Sequence, residues 1–297
     1  MRRWRITSCA IRGLAVALAA ATTLLAPAPA AAQFGMMGGF GGMGDMTEAA
    51  VSRKGMSSYC DLLEMSPAER ELAMELHAGY LDNFKQTTDT FQQRMERLQR
   101  EFQDTRDFAV FQEQMPPVIK GFVRRMKELE DGIFADLRML ADVQETDERW
   151  IRVQRMRRRE QARQGSMISG DAVDLVAIAA EHGGKEAPPA VRDTLLRYEV
   201  ELDSVLAERQ RMFEESVDTM FDNAFDLEKQ AEMMEFWEDF MGKAQDLGRR
   251  AKSINARYAA EIERLLPQED RAAFDREVKR RTWPTVYRDS YPERLLE

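Results

Sequence analysis

One stretch constrains this chain more than any other: Pro117 to Leu140, PVIKGFVRRMKELEDGIFADLRML. Its apolar residues fall at Ile119, Phe122, Met126, Leu129, Ile133, Leu137 and Leu140. Steps of three and four place one apolar stripe along a long helix, and other helices must cover it. The pattern returns 125 residues later at Ala244, Leu247, Ala251, Ile254, Tyr258, Ile262 and Leu265. Residues off the stripe recur as well. Arg124, Arg125 and Lys127 return as Arg249, Arg250 and Lys252, and Phe111 and Glu113 return as Phe236 and Glu238. Two helices can share a stripe by chance, but shared identities on other faces point to an internal duplication.

The helices before this spine agree. Leu72, Leu76, Tyr80, Phe84, Thr88, Phe91, Met95, Leu98 and Phe102 form a near-heptad stripe that needs a partner helix. In the second half Val191, Leu195, Tyr198, Leu202, Val205, Phe213, Val217 and Met220 do the same. Tyr80 with Tyr198, Glu96 with Glu214 and Asp104 with Asp222 share an offset of 118. The step from 118 to 125 is one heptad, which preserves the phase of the stripe. No stretch alternates with period two. The expected fold is all-α: an elongated bundle of long amphipathic helices with coiled-coil-like packing, internally duplicated.

Punctuation sets the expected boundaries. Ser66, Pro67 and Glu69 make a helix start, with a capping box around a proline at the first helical position. A polar break at Asp104 to Asp107 ends that helix. Pro116-Pro117 is expected to separate a short helix from the spine. Thr146 is the expected cap of the helix holding Trp150, Val153 and Met156, and Gly165 to Gly170 reads as a hinge. Asp171 to Glu181 reads as a short helix stopped by Gly183-Gly184, Pro188-Pro189 starts the next, and Asp226 caps the copy of the spine. Pro267, Gln268 and Glu269 open a last helix through Arg281. The tail from Thr282, with Trp283, Tyr287 and Tyr291, is expected to fold back on the body.

Residues 1–32 carry the marks of a secretory signal peptide: Arg2, Arg3 and Arg5, an apolar run from Gly13 to Leu25, then Ala30-Ala31-Ala32. The run is too short for a transmembrane helix of about 20 residues. The mature protein is therefore expected to be exported, periplasmic or extracellular. Loss of the leader's four arginines takes the formal net charge from −9 to −13, a poor balance for nucleic-acid binding. Residues 33–58 begin with a Gly/Met-rich tract and read as a flexible leader, whose Met36, Met37, Met43 and Met46 are more simply a tether than a Cu(I) site. Residues 59–164 and 171–297 are the two expected helical units.

Candidate chemistry is sparse. Cys60 is the one cysteine beyond the leader, so it is either buried and reduced or an intermolecular disulfide. Neither His77 nor His182 has glutamate three residues before it, as a di-iron bundle requires, and His77 reads as a surface or partly packed side chain. No phosphate loop or Ser/His/Asp spacing is present. No enzyme, metal or cofactor is expected. One strip stands out in an acidic chain: Arg149, Arg152, Arg155, Arg157, Arg158, Arg159 and Arg163 face a single acid, Glu160. Arg276, Lys279, Arg280 and Arg281 repeat it in the second half. Two readings stand: an anion- or partner-binding strip for an anionic membrane surface or acidic client, or arginines paired with neighbouring acidic helices. The abundant methionines suit either adaptable client-binding surfaces or core packing.

Each half also opens or closes with one kind of phrase. Examples are Leu63-Glu64-Met65-Ser66-Pro67-Ala68-Glu69-Arg70, Leu140 through Gln144 to Trp150, and Leu265-Leu266-Pro267-Gln268-Glu269-Asp270-Arg271. This resembles the LTxxQ-motif periplasmic helical proteins, the Spy/CpxP type, as two tandem units. The resemblance implies a thin helical cradle, possibilities of homodimerisation, and ATP-independent chaperoning or envelope-stress response with protein clients or envelope proteins as partners. A structural coiled-coil scaffold contacting membrane or wall is the alternative expectation, and a metal-binding stress protein a weaker one.

Overall fold

The computed structural model describes residues 48–106, 108–166, 168–182, 188–222 and 229–287. The leader, the Gly/Met tract, Gly183-Gly184, Asp226 and Tyr291 lie outside them, as does the side chain of His182. The described residues hold eight helices and no strand, so the chain is all-α. They are α1 (Arg53–Leu62), α2 (Pro67–Thr105), α3 (Phe108–Leu140), α4 (Glu148–Gln164), α5 (Leu175–His182), α6 (Pro189–Asp222), α7 (Gln230–Leu265) and α8 (Gln268–Thr282). No helix among the described residues is long and apolar enough to cross a membrane.

All eight belong to one compact unit, Thr47–Glu297. Within it two long hairpins, α2 with α3 and α6 with α7, carry the principal packing. A short helix and a closing helix attend each hairpin. α1 lies on α2 and α4, and α5 lies on α6, α7 and α8. The core accordingly divides in two. Met56, Tyr59, Tyr80, Phe134, Leu137 and Val153 belong to the first cluster, and Leu175, Ile178, Tyr198, Tyr258, Ile262 and Phe274 to the second. Two tyrosines at the offset of 118 do corresponding work. The Tyr80 hydroxyl accepts from the Val51 N–H, and the Tyr198 hydroxyl accepts from the Leu175 N–H, each at 3.4 Å. Each ties the segment before its hairpin to the hairpin's base.

The helix starts follow local chemistry. The Ser66 hydroxyl accepts from the Glu69 N–H, and the Glu69 carboxylate accepts from the Ser66 N–H at 2.7 Å, completing the box around Pro67. α2 ends at Arg106, whose φ of 56° turns the chain left-handed. Asp147, not Thr146, caps α4, because its carboxylate accepts from the Arg149 N–H at 2.8 Å. Asp174, not Asp171, starts α5, accepting from the Val176 and Ala177 N–H groups.

Two further expectations are corrected. Pro116 and Pro117 do not divide the spine: α3 runs through both. Two missing N–H donors remove bonds to the carbonyls four residues earlier, at a cost of about 3 kcal/mol or more. Burial of Met115 and Ile119 on the two sides of the prolines offsets it. On α2 the inward register begins Ala73, His77, Tyr80, Phe84, so Leu72 and Leu76 are exposed. A histidine and an alanine hid the buried face, while the flanking leucines advertised the wrong one. Trp283 and Tyr287 are each 42 % exposed and lie tilted against each other, with ring centroids 6.3 Å apart. Just before them the Thr282 carbonyl accepts from the Ser169 hydroxyl.

Candidate functional site

The arginine strip is α4, and α4 lies between the two hairpins. One side carries Val153 and Trp150 into the first core, with Ala162 reaching the second. Its arginines then meet acids on both sides. Toward α3, Arg157 Nε donates to Glu130 at 2.8 Å and Nη2 to Asp131 at 2.6 Å, while its guanidinium sits 4.4 Å above the Phe134 ring. Toward α6, Arg158 holds Asp203 in a two-pronged pair at 2.7 and 2.9 Å. Arg159 is only 6 % exposed, with Nη1 2.9 Å from Glu199 and Nε 3.4 Å from Asp174. The remainder pair nearer home: Arg149 with Asp147, Arg155 with Glu148 and Arg163 with Glu160. Arg152 is exposed.

For Arg157, Arg158 and Arg159 the paired alternative therefore holds. A strip that binds headgroups must present guanidiniums to solvent, and here the central three are turned inward onto carboxylates. In α8 the cations pair chiefly within their own helix, and Arg280 stays exposed. Arg280 and Arg281 both clasp the buried Glu277 at 2.7 Å, Arg281 also reaches Glu181, and Lys279 holds Asp275. Only Arg276 of that cluster is exposed toward solvent without a pair named above. The basic side of the spine is explained in part by packing too. Lys127 pairs with Glu214 of α6 at 2.9 Å, and Arg250 with Glu208 at 2.8 Å.

Deeper still is a group that the stripe left unnoticed. Arg209 of α6 points at the fully buried Asp171, 3.6 Å away, beneath Gly165, where an added Cβ would lie 3.1 Å from Nη2. Gly170 and Asp171, at the end of the expected hinge, are thus buried in a packed joint. Asn255 completes it, donating to the carbonyls of Gly170 and Asp171 and accepting from the Tyr198 hydroxyl at 3.0 Å. Burial is the largest influence on both arginines and disfavours their charge. In Arg159 the two carboxylates outweigh it and hold the guanidinium above its ordinary range, whereas Arg209, with Asp171 alone, is held below. Burial likewise pushes up the Tyr59 hydroxyl and the Glu160 carboxyl that it bonds.

Cys60 is buried beside Tyr59 in the first core, and burial pushes its thiol up. His77 is not a surface residue: it is 2 % exposed, and its Nε2–H donates to the Val51 carbonyl at 2.9 Å. Methionines divide between roles. Met56, Met65, Met115, Met220 and Met233 are buried, while Met139, Met234 and Met241 are exposed. Apolar exposure also comes in helical pairs, Leu72 with Leu76 on α2 and Leu196 with Val200 on α6. Among the described residues no three His, Cys, Asp or Glu side chains group as metal ligands.

Compared against known protein families, curated proteins and solved structures, the chain matches none.

The α8 clasp has a pH signature. Hydrogen bonds from Arg280, then Arg281, draw the Glu277 carboxyl down to about 2. A depressed carboxylate stabilises the fold fully above its ordinary range near 4.5, and that contribution fades as pH falls toward about 2. Glu277→Gln should therefore lower the unfolding temperature at pH 7, and the difference from the wild type should narrow between about pH 4.5 and 2. Thermal scans across that range check it.

Proposed function

We propose that this chain is an exported, non-enzymatic helical protein of the cell envelope that holds other proteins without nucleotide. The observation that carries the reading is the exposure of apolar pairs on otherwise well-packed long helices. Leu72 with Leu76, Leu196 with Val200, and Met234 with Met241 recur at spacings of four or seven residues. Such spacing keeps each pair on one helical face, and a partner could cover it. The leader-like first 32 residues support export, and the resemblance of the Ser66 and Pro267 helix starts to the LTxxQ type supports an envelope chaperone or stress-response role. The doubled order of short helix, hairpin and closing helix supports an origin in two tandem units. With the arginines turned inward, the reading puts contact with clients on apolar faces and gives no part to a basic rim.

The test is light scattering from a reduced, aggregating model substrate with the purified mature chain at stoichiometric ratio. The wild type should suppress aggregation, and Leu72→Ser, Leu76→Ser, Leu196→Ser and Val200→Ser together should weaken suppression several-fold while leaving helicity unchanged. Equal suppression by the two proteins, or none by the wild type, overturns the reading. The same pairs would equally serve self-association in a coiled-coil scaffold. Sedimentation of the two proteins separates that alternative, since only a scaffold would lose its oligomer with the four serines.

A further inference from the structure

The two hairpins differ in charge and surface at their far ends. On α7, Met234 is 61 % exposed and Met241 lies two turns further along the same face, with half-buried Trp237 beside them. Exposed acids of α7 flank this strip: Glu232, Glu235, Glu238 and Asp239. The corresponding places in the first half, 125 residues earlier, hold Ala109 and Pro116 for the two methionines, Val110 for Glu235 and Gln114 for Asp239. Asp107 and Glu113 stand for Glu232 and Glu238, so what the second half has alone is the two methionines with Glu235 and Asp239.

The fold contains its own example of what such a surface accepts. α3, a helix with basic residues beside its stripe, lies along α6 and is held there by Lys120 to Asp218 at 3.2 Å and Lys127 to Glu214 at 2.9 Å. α7 is the other wall of this hairpin. Its neighbours α5 and α8 meet it through the cluster that runs from Leu247 to Ile262, beyond Met241. We infer that the outer face of α7 around Met234, Trp237 and Met241 is a docking surface for a cationic amphipathic helix of a partner protein. Flexible thioethers take up the partner's apolar ridge, and the flanking carboxylates meet its lysines or arginines.

This inference rests on the protein-binding reading and adds the chemistry of the bound segment. The probe is a labelled synthetic helix about five turns long, with leucine at three-and-four spacing and lysine elsewhere, followed by anisotropy against the mature chain. A second peptide carries glutamate for each lysine. The lysine peptide should bind, and Met234→Ser with Met241→Ser should weaken it by roughly tenfold or more. Glu235→Gln with Glu238→Gln should flatten the salt dependence of binding. Met139→Ser, at an exposed methionine of the other hairpin, should leave it unchanged. Equal binding of the two peptides, or unaltered binding after the Met234 and Met241 substitutions, overturns the inference. If the wild type ignores the lysine peptide yet suppresses aggregation, the inference falls alone; if it does neither, the proposed function falls with it.

Discussion

Arg159→Met should lower the unfolding temperature by on the order of 10 °C, the largest effect of any single change on α4. The expectation comes from what is left behind. Methionine fills the volume of the aliphatic stem, but Asp174 and Glu199 then remain buried without their shared cation. Removing one partner of such a group typically costs about 3–5 kcal/mol, most of it the desolvation of the survivors. The charge itself need not be favourable overall. Adding Glu199→Leu should therefore recover a substantial part of the loss, while Asp174 keeps a role as the cap of α5 through Val176 and Ala177. Thermal unfolding of the single and double variants checks both statements. An Arg159→Met protein as stable as the wild type would mean that α4 presents this guanidinium to water.

Phe134→Ala should be comparably severe, at about 3–5 kcal/mol. Phe134 lies where three helices meet. Its ring stands edge-on to Tyr59 of α1, with centroids 5.1 Å apart, and takes the Arg157 guanidinium of α4 on its face. Truncation removes the core packing and also leaves Arg157 over a void, so α1 and α4 should loosen together. Met139→Ala, five residues along the same helix but 70 % exposed, is the control and should change stability by less than about 0.5 kcal/mol. Denaturant unfolding of the two variants reads the difference. Near-equal effects would contradict the placement of the first core.

Much of this architecture can be read from periodicity, because apolar spacing reports the side of a helix that is buried. Every stripe residue of α3 from Ile119 to Leu140 is buried or half-buried, and the copy on α7 follows from Ala244 to Ile262. Periodicity fails where the buried residue is not apolar. His77 takes the inward place of α2 and hides the register, since nothing local says that Val51 will supply its acceptor. The charged joint was hidden for the same reason. Arg159 continues the step from Val153 and Met156, and Arg209 continues the step from Leu202 and Val205 or Leu206. A charge that keeps the phase of a stripe is the signal that could have found them. Their partners could not be found that way. Asp171 and Asp174 sit in an irregular segment, and Glu199 adjoins Tyr198 on the edge of a face, so only the tertiary fold brings them to α4.

α4 docks on α6 through Glu199 and Asp203, whose counterparts on α2 at the offset of 118 are Leu81 and Lys85. α2 thus lacks the two acids with which α6 receives the arginine helix, and the first hairpin meets it through Glu130 and Asp131 of α3. α8 turns its basic residues onto Glu277 and Glu181 instead. Three arginines of the strip that looked like a surface for outside anions instead tie α4 to acids of both hairpins.

Hydrogen exchange along α4 tests that claim most directly. With arginines clamped on both sides, amides from Val153 to Ala162 should be protected about as strongly as those at the base of α2 and α3, and should lose protection in Arg159→Met. Exchange of α4 on the timescale of an exposed helix, unchanged by that substitution, would contradict the account.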